Sequence, residues 1–276
     1  MILRVAKTGS TALAAIASLL LAGAFTNCHA GAWTLPEGKI YDKASLNYYS
    51  ANPAFTDTNL GNYLEYGLTD NLSLVNSIYF KRIKNDYYTP ATGVTTTSTT
   101  SGIADIEIGL KHKLAEGNYG VLSHQALLKL PGLYDKNCGL PLGNGQFDAE
   151  YRVLYGLSLW RLFPGYANLE AGYRYRAEAP ADEFRYLVEI GADITSRFYA
   201  RVKLDAIVSM NNADKVADQS GNPTTIFQYD LQKLDTALGY KLTDTWGLEL
   251  GYTPTLYAKN TADGTNYSVG ITYLLR

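Results

Sequence analysis

The chain is poor in the residues from which most metal and nucleophilic centres are built: its 276 residues hold 2 Cys and 3 His. It has almost no net charge, with 24 Lys+Arg against 26 Asp+Glu, which excludes a strongly basic nucleic-acid-binding surface. Beyond residue 30 no apolar run is long enough to cross a bilayer as a helix, so a polytopic helical membrane protein is excluded. There is no P-loop and no GxGxxG nucleotide fingerprint. Hydrophobic residues still make up 46%, so the chain is not a disordered one. Tyrosine is abundant, at 23 against 8 Phe, and so is glycine, at 25. That bias suits sheets whose aromatic rings sit between oil and water.

The first thirty residues have the layout of a secretory signal peptide. Arg4 and Lys7 form a basic start, residues 11–25 an apolar core, and Cys28-His29-Ala30 places small residues before a cut after Ala30. The expected domains are therefore a signal peptide, 1–30, and one secreted unit, 31–276. The secreted unit has Cys138 as its one cysteine, which rules out an internal disulfide.

The secreted unit alternates with period 2 almost to its end. Along Phe198 to Ser209 one face reads Phe198, Ala200, Val202, Leu204, Ala206, Val208, and the other Tyr199, Arg201, Lys203, Asp205, Ile207, Ser209. A strand separates these sets, whereas a helix scatters them. Twelve such segments are expected: 39–51, 58–68, 71–84, 102–114, 119–132, 145–160, 166–178, 182–194, 197–210, 225–242, 245–258 and 265–276. Short turns at 69–70, 115–118, 161–165, 195–196 and 243–244 alternate with longer polar loops, the pattern of outer-membrane barrels. Thr95 to Ser101 reads as the mobile tip of an outward loop. The phase is expected to break once, by a bulge near Gln232-Lys233.

The reading is thus an all-β fold: a transmembrane up-and-down antiparallel β-barrel of about twelve strands. A soluble sandwich also alternates, but a long meander of this kind is unusual there. Aromatics such as Tyr48, Tyr66, Tyr151, Tyr173, Tyr175, Trp246, Tyr252 and Tyr267 fall on the apolar face, many near strand ends, as membrane girdles do.

Several stretches together resemble a known family. They are Gly31-Ala32-Trp33-Thr34-Leu35-Pro36-Glu37-Gly38, Glu65-Tyr66-Gly67-Leu68-Thr69-Asp70, Gly102 to Lys111, Lys129-Leu130-Pro131-Gly132 and Leu142 to Asp148. In this order they are similar to the outer-membrane barrel transporters linked to the meta-pathway of phenol degradation. The resemblance spans most of 31–276. It implies an outer-membrane barrel passing aromatic or other small organic compounds, and fixes no single substrate. The chain departs from the family in lacking a Thr-Gly-Asp continuation after Lys129-Leu130-Pro131 and in ending on Leu274-Leu275-Arg276 without an aromatic.

By phase, the inward acids are Glu65, Asp105, Glu107, Asp148, Glu150, Glu170, Glu189, Asp193, Asp205, Asp235 and Glu249. The inward bases are Lys43, Lys81, Lys111, Lys113, Lys129, Arg152, Arg174, Arg176, Arg185, Arg201 and Lys203. Equal sets point to cross-strand ion pairs that tie the wall together. The functional candidates sit near mid-strand, where they would line a constriction and bind solute: Glu107, Lys111, Glu150, Arg152, Arg174, Glu189 and Arg201. A barrel of this size is expected to have a narrow or partly plugged lumen. Inward glycines, among them Gly67, Gly109, Gly156, Gly172, Gly191, Gly251 and Gly270, are expected to leave bore open.

No catalytic residue, metal site or cofactor is assigned. His112 and His124 fall on the outward phase as cross-strand neighbours without a Ser or acid on their face, so no Ser-His-Asp arrangement is assembled. Asp148 and Glu150 share a face, but Arg152 beside them makes an ion network the better reading. The expected partners are outer-membrane lipid, small-molecule solutes and the barrel-assembly machinery, not nucleic acid. The expected function is a channel or transporter for small organic molecules in the outer membrane. The alternatives are a structural or partner-binding barrel and, behind it, a membrane enzyme.

Overall fold

A computed structural model describes residues 31–51, 54–217 and 226–275; the expected signal peptide lies outside them. Thirteen strands form one antiparallel sheet. They are β1 (Ile40–Ala51), β2 (Phe55–Thr69), β3 (Leu72–Thr89), β4 (Val94–Ile103), β5 (Ile106–Gly117), β6 (Gly120–Leu130), β7 (Asp148–Ser158), β8 (Gly165–Arg176), β9 (Glu183–Asp193), β10 (Phe198–Ser209), β11 (Asp230–Lys241), β12 (Trp246–Lys259) and β13 (Gly264–Leu275). β1 pairs with both β2 and β13 and β2 with β3, which closes the ring. β4 and β5 share one place in it. β3 pairs with β5 through Leu72–Ser77 and with β4 through Phe80–Thr89, across an interruption at Ala104-Asp105. The barrel is therefore twelve-stranded, and the described residues hold no helix.

Burial runs opposite to that of a soluble sandwich. Glu65, Lys111 and Arg174 are 0%, 1% and 5% exposed, while Leu60, Ile190 and Leu250 are 57%, 50% and 58% exposed. Charges turned inward and aliphatics turned outward over whole strands are a wall made for lipid. Outward aromatic pairs brace that wall near the strand ends. The rings of Trp246–Tyr273 and of Phe198–Tyr240 are each 4.8 Å apart, and those of Tyr252–Tyr267 are 5.6 Å apart.

Two features differ from the sequence pattern. Thr95–Ser101 is not a loop tip but most of β4, paired residue by residue with β3. The hairpin rises beyond the ring on the long-loop side, and its run of β-branched threonines favours a strand even where both faces are polar. The phase breaks in three places among the described residues rather than one: between Gly67/Thr69, Lys113/Ala115 and Gln232/Lys233. The first two sit beside the short turns, where a bulge changes no burial pattern long enough to be read from sequence.

Candidate functional site

The lumen is occupied in layers. At the short-turn mouth the segment preceding β1 folds up into the barrel. Ala32 and Leu35 are 0% and 1% exposed there. Lys111 Nζ donates to the Gly31 carbonyl at 3.1 Å, Ser123 Oγ to the Ala32 carbonyl, and the Leu35 N–H to Ser73 Oγ at 3.0 Å. Trp33 lies edge-on to Tyr166, with ring centroids 6.2 Å apart. Two inward glycines make room for this floor. A Cβ on Gly67 would sit 2.0 Å from the Pro36 carbonyl oxygen, and one on Gly156 would sit 2.6 Å from the Trp33 ring.

Several inward glycines are thus occupied rather than open, Gly67 and Gly156 by the floor and others by tyrosines of the neighbouring strand. A Cβ on Gly191 would lie 2.0 Å from Tyr166, one on Gly239 1.9 Å from Tyr199, and one on Gly61 2.7 Å from Tyr79. These are cross-strand register partners, so each glycine is the seat of a ring lying flat against the wall.

At the opposite mouth the connection 131–147 turns inward. Leu140 and Leu142, each 2% exposed, pack with Ala51, Phe55, Ile83 and Ala104. Burying the two leucines contributes about 1.5–3 kcal/mol each. Tyr134 holds the turn: its hydroxyl donates to Asp105 Oδ1 at 2.7 Å and accepts the Gly145 N–H at 2.8 Å. Burial and the adjacent Asp105 carboxylate raise the Tyr134 phenol well above the ordinary tyrosine range, so it stays neutral. The sequence pattern read this stretch as an outward polar loop, because Leu140 and Leu142 lie in a Gly- and Pro-rich run without periodicity.

Between these layers the sequence-predicted charges meet in ion pairs. Arg174 bridges Glu107 at 2.5 Å and Glu150 at 2.7 Å, and Arg152 joins Glu150 to Glu170, the latter at 2.6 Å. Arg185 extends the cluster to Glu183 at 2.6 Å. A second cluster links Arg201 to Glu189 and Glu249, both at 3.2 Å, with Lys43 also on Glu249. Lys111 stands apart from both, paired with Glu65 at 2.8 Å beside the floor. All seven functional candidates thus face the lumen, six in the two middle clusters and Lys111 below them. The wall across from the arginines, on β1 to β3, carries Tyr41, Tyr49, Tyr63 and Tyr79. Tyr79 keeps 37% of its surface open to the lumen.

Among the inward charges outside the predicted sets are Glu183, which pairs with Arg176 and Arg185, Asp57, which pairs with Lys81, and Lys233. Lys233 faces a register shift whose extra residue, Leu256, belongs to β12, and it lies between Leu231 and Leu234, three apart, where the apolar pattern supports either face. Its ammonium sits 5.7 Å from the centre of the Tyr49 ring and has no carboxylate or hydrogen-bond acceptor among the described residues.

Outside the barrel wall, His112 and His124 are cross-strand partners whose ring nitrogens are 3.1 Å apart. Tyr151 Oη meets the other nitrogen of His124, also at 3.1 Å. This outward chain has no Ser or carboxylate in it.

A cavity of about 330 Å³ opens at the long-loop mouth beside Tyr175, Arg176, Pro180, Asp182 and Asn212. Asp182 organises it, accepting from Tyr173 Oη at 2.6 Å, the Arg176 N–H at 2.7 Å and Asn212 Nδ2 at 2.8 Å. Burial alone would raise its carboxyl, but these donors outweigh burial and hold it below the ordinary range. A depressed carboxyl stabilises the fold above its unfolded value of about 4 and stops doing so as pH falls through the lower folded value. The loop 177–182 is therefore expected to resist pepsin at about pH 5 and to become cleavable only below about pH 4. Cleavage that is equal at both pH values would refute this role for Asp182.

No protein-family model and no curated protein matches the chain. Solved structures do. An outer membrane channel from Pseudomonas putida F1 superposes with TM-score 0.67 at 15% identity, covering 88% of this chain and 98% of that one. The NanC porin superposes with TM-score 0.57 at 11% identity, covering 85% of this chain and 100% of its own. The KdgM porin, solved with disordered oligogalacturonate, gives TM-score 0.55 at 7% identity, covering 86% of this chain and 99% of its own. The fold is that of an outer-membrane β-barrel. At these identities the likeness is one of fold.

Proposed function

We propose that the protein is an outer-membrane channel that passes small organic molecules, aromatic ones included, through a narrow charged lumen. The observation that carries this reading is the cross-section. A tyrosine wall on β1 to β3 faces an ion-paired arginine wall on β7 to β10, so a flat, partly polar solute finds ring contact on one side and hydrogen bonds on the other. The fold shared with the P. putida channel and the two porins supports it, as does the resemblance to the phenol meta-pathway transporters. Short turns then face the periplasm and the long loops the exterior. No enzymatic activity is assigned.

The test is planar-bilayer conductance with liposome swelling on purified, heat-modifiable protein. Small aromatic alcohols are expected to enter, and no conductance with no uptake would overturn the reading. Arg152→Glu is expected to shift ion selectivity toward cations, because it adds negative charge beside Glu150 and Glu170. The layers at both mouths favour a second reading, a closed structural barrel, for which both measurements would be blank.

A further inference from the structure

The lumen's charges are paired almost throughout. Every inward base in the two predicted sets has a carboxylate within ion-pair distance. Two inward groups are left over among the described residues: Lys233, and the one predicted inward acid without a partner, Asp205. They are register partners on β10 and β11, directly opposite each other, and still form no ion pair. Lys233 reaches instead to the face of Tyr49. Asp205 is exposed, and the exposure opens into the barrel, since its partner on β9 is the inward Leu187. β10 lies halfway round the ring from β3, where Tyr79 projects into the same open section. Tyr79, Asp205 and Lys203 all turn inward from these facing walls. Lys81 and Lys203, which also face Lys233, are already matched by Asp57 at 3.4 Å and Asp235 at 3.1 Å.

We infer that this section is a binding site for a small zwitterion with an aromatic or similarly flat side group, its carboxylate on Lys233, its ammonium on Asp205 and its ring against Tyr79. The inference rests on the channel reading and names a substrate class for it. A simple anion would meet the field of Asp205, and a simple cation would meet Lys233 flanked by Lys81 and Lys203. A solute carrying both signs complements both groups, and neither group has an ion pair to break before it binds.

Three probes with one phenylalkyl skeleton test this on the folded full-length barrel: L-phenylalanine, 3-phenylpropionate and 2-phenylethylamine. L-Phenylalanine is expected to block ion current at roughly tenfold lower concentration than either single-charge analogue, one charge contact being worth about a factor of ten. Lys233→Met is expected to erase its advantage over 2-phenylethylamine, and Asp205→Asn its advantage over 3-phenylpropionate. Neither change strands a partner, so heat-modifiable migration is expected to stay normal in both. Equal block by the three probes, or wild-type order in both variants, overturns the site. Binding to the detergent-folded protein, read by saturation-transfer NMR, separates the two proposals. Binding without current sinks only transport, and current without discrimination sinks only the zwitterion site.

Discussion

Deleting residues 31–37 is expected to raise single-channel conductance roughly several-fold, since current through a narrow aqueous path is set by its tightest section. The segment is the floor of the lumen. Ala32 and Leu35 are fully buried in it, and Trp33 fills the space over Gly156. The barrel does not need it to close, because β1 begins at Ile40 and pairs with β13 and β2 from that residue on. Gly38 and Lys39 remain tied to Gly67 by backbone hydrogen bonds of 2.9 Å each, so the cut leaves the rim in place. Trp33→Ala is expected to give a smaller increase, removing one ring and leaving the backbone floor. Bilayer recordings decide it: conductance unchanged by the deletion would mean that the middle ion-pair layer is limiting.

The largest loss of stability is expected from Lys111→Met. Lys111 and Glu65 are 1% and 0% exposed and pair at 2.8 Å. Removing the ammonium leaves a buried carboxylate whose remaining contact is the Tyr63 hydroxyl at 3.1 Å. Stranding one partner of a buried pair costs about 3–5 kcal/mol. The midpoint of urea unfolding, read from the folded band on unheated gels, is expected to fall accordingly. The double change Lys111→Met with Glu65→Leu is expected to recover most of it, because no lone charge remains. A single variant as stable as the parent would refute the pairing. The single variant also releases the Gly31 carbonyl, so it is expected to loosen the floor and raise conductance.

The inward charges of β7 to β10 were legible from sequence because alternation states, strand by strand, which side a residue faces. Arg152, Arg174, Glu189 and Arg201 all turn into the lumen on that basis. Lys233 was illegible for the same reason reversed: between Leu231 and Leu234, three apart, the apolar pattern fits either side. Which carboxylate each arginine takes was also beyond reach. Arg174 bonds Glu107 on β5, three ring places away, through a contact that exists only once the sheet curls into a cylinder.

By itself the sequence determined the ring: strand number, inside and outside, and turn side, all consequences of a two-residue period and of turn chemistry. These are local properties and need no knowledge of distant residues. Only the closed structure decided what fills the ring. The segment ahead of β1, the inward connection with Leu140 and Leu142, and the tyrosines seated over glycines meet their partners through space, across or around the lumen. Period-2 patterning specifies a surface, whereas the shape of the enclosed volume follows from closure, and that volume is where solute would pass.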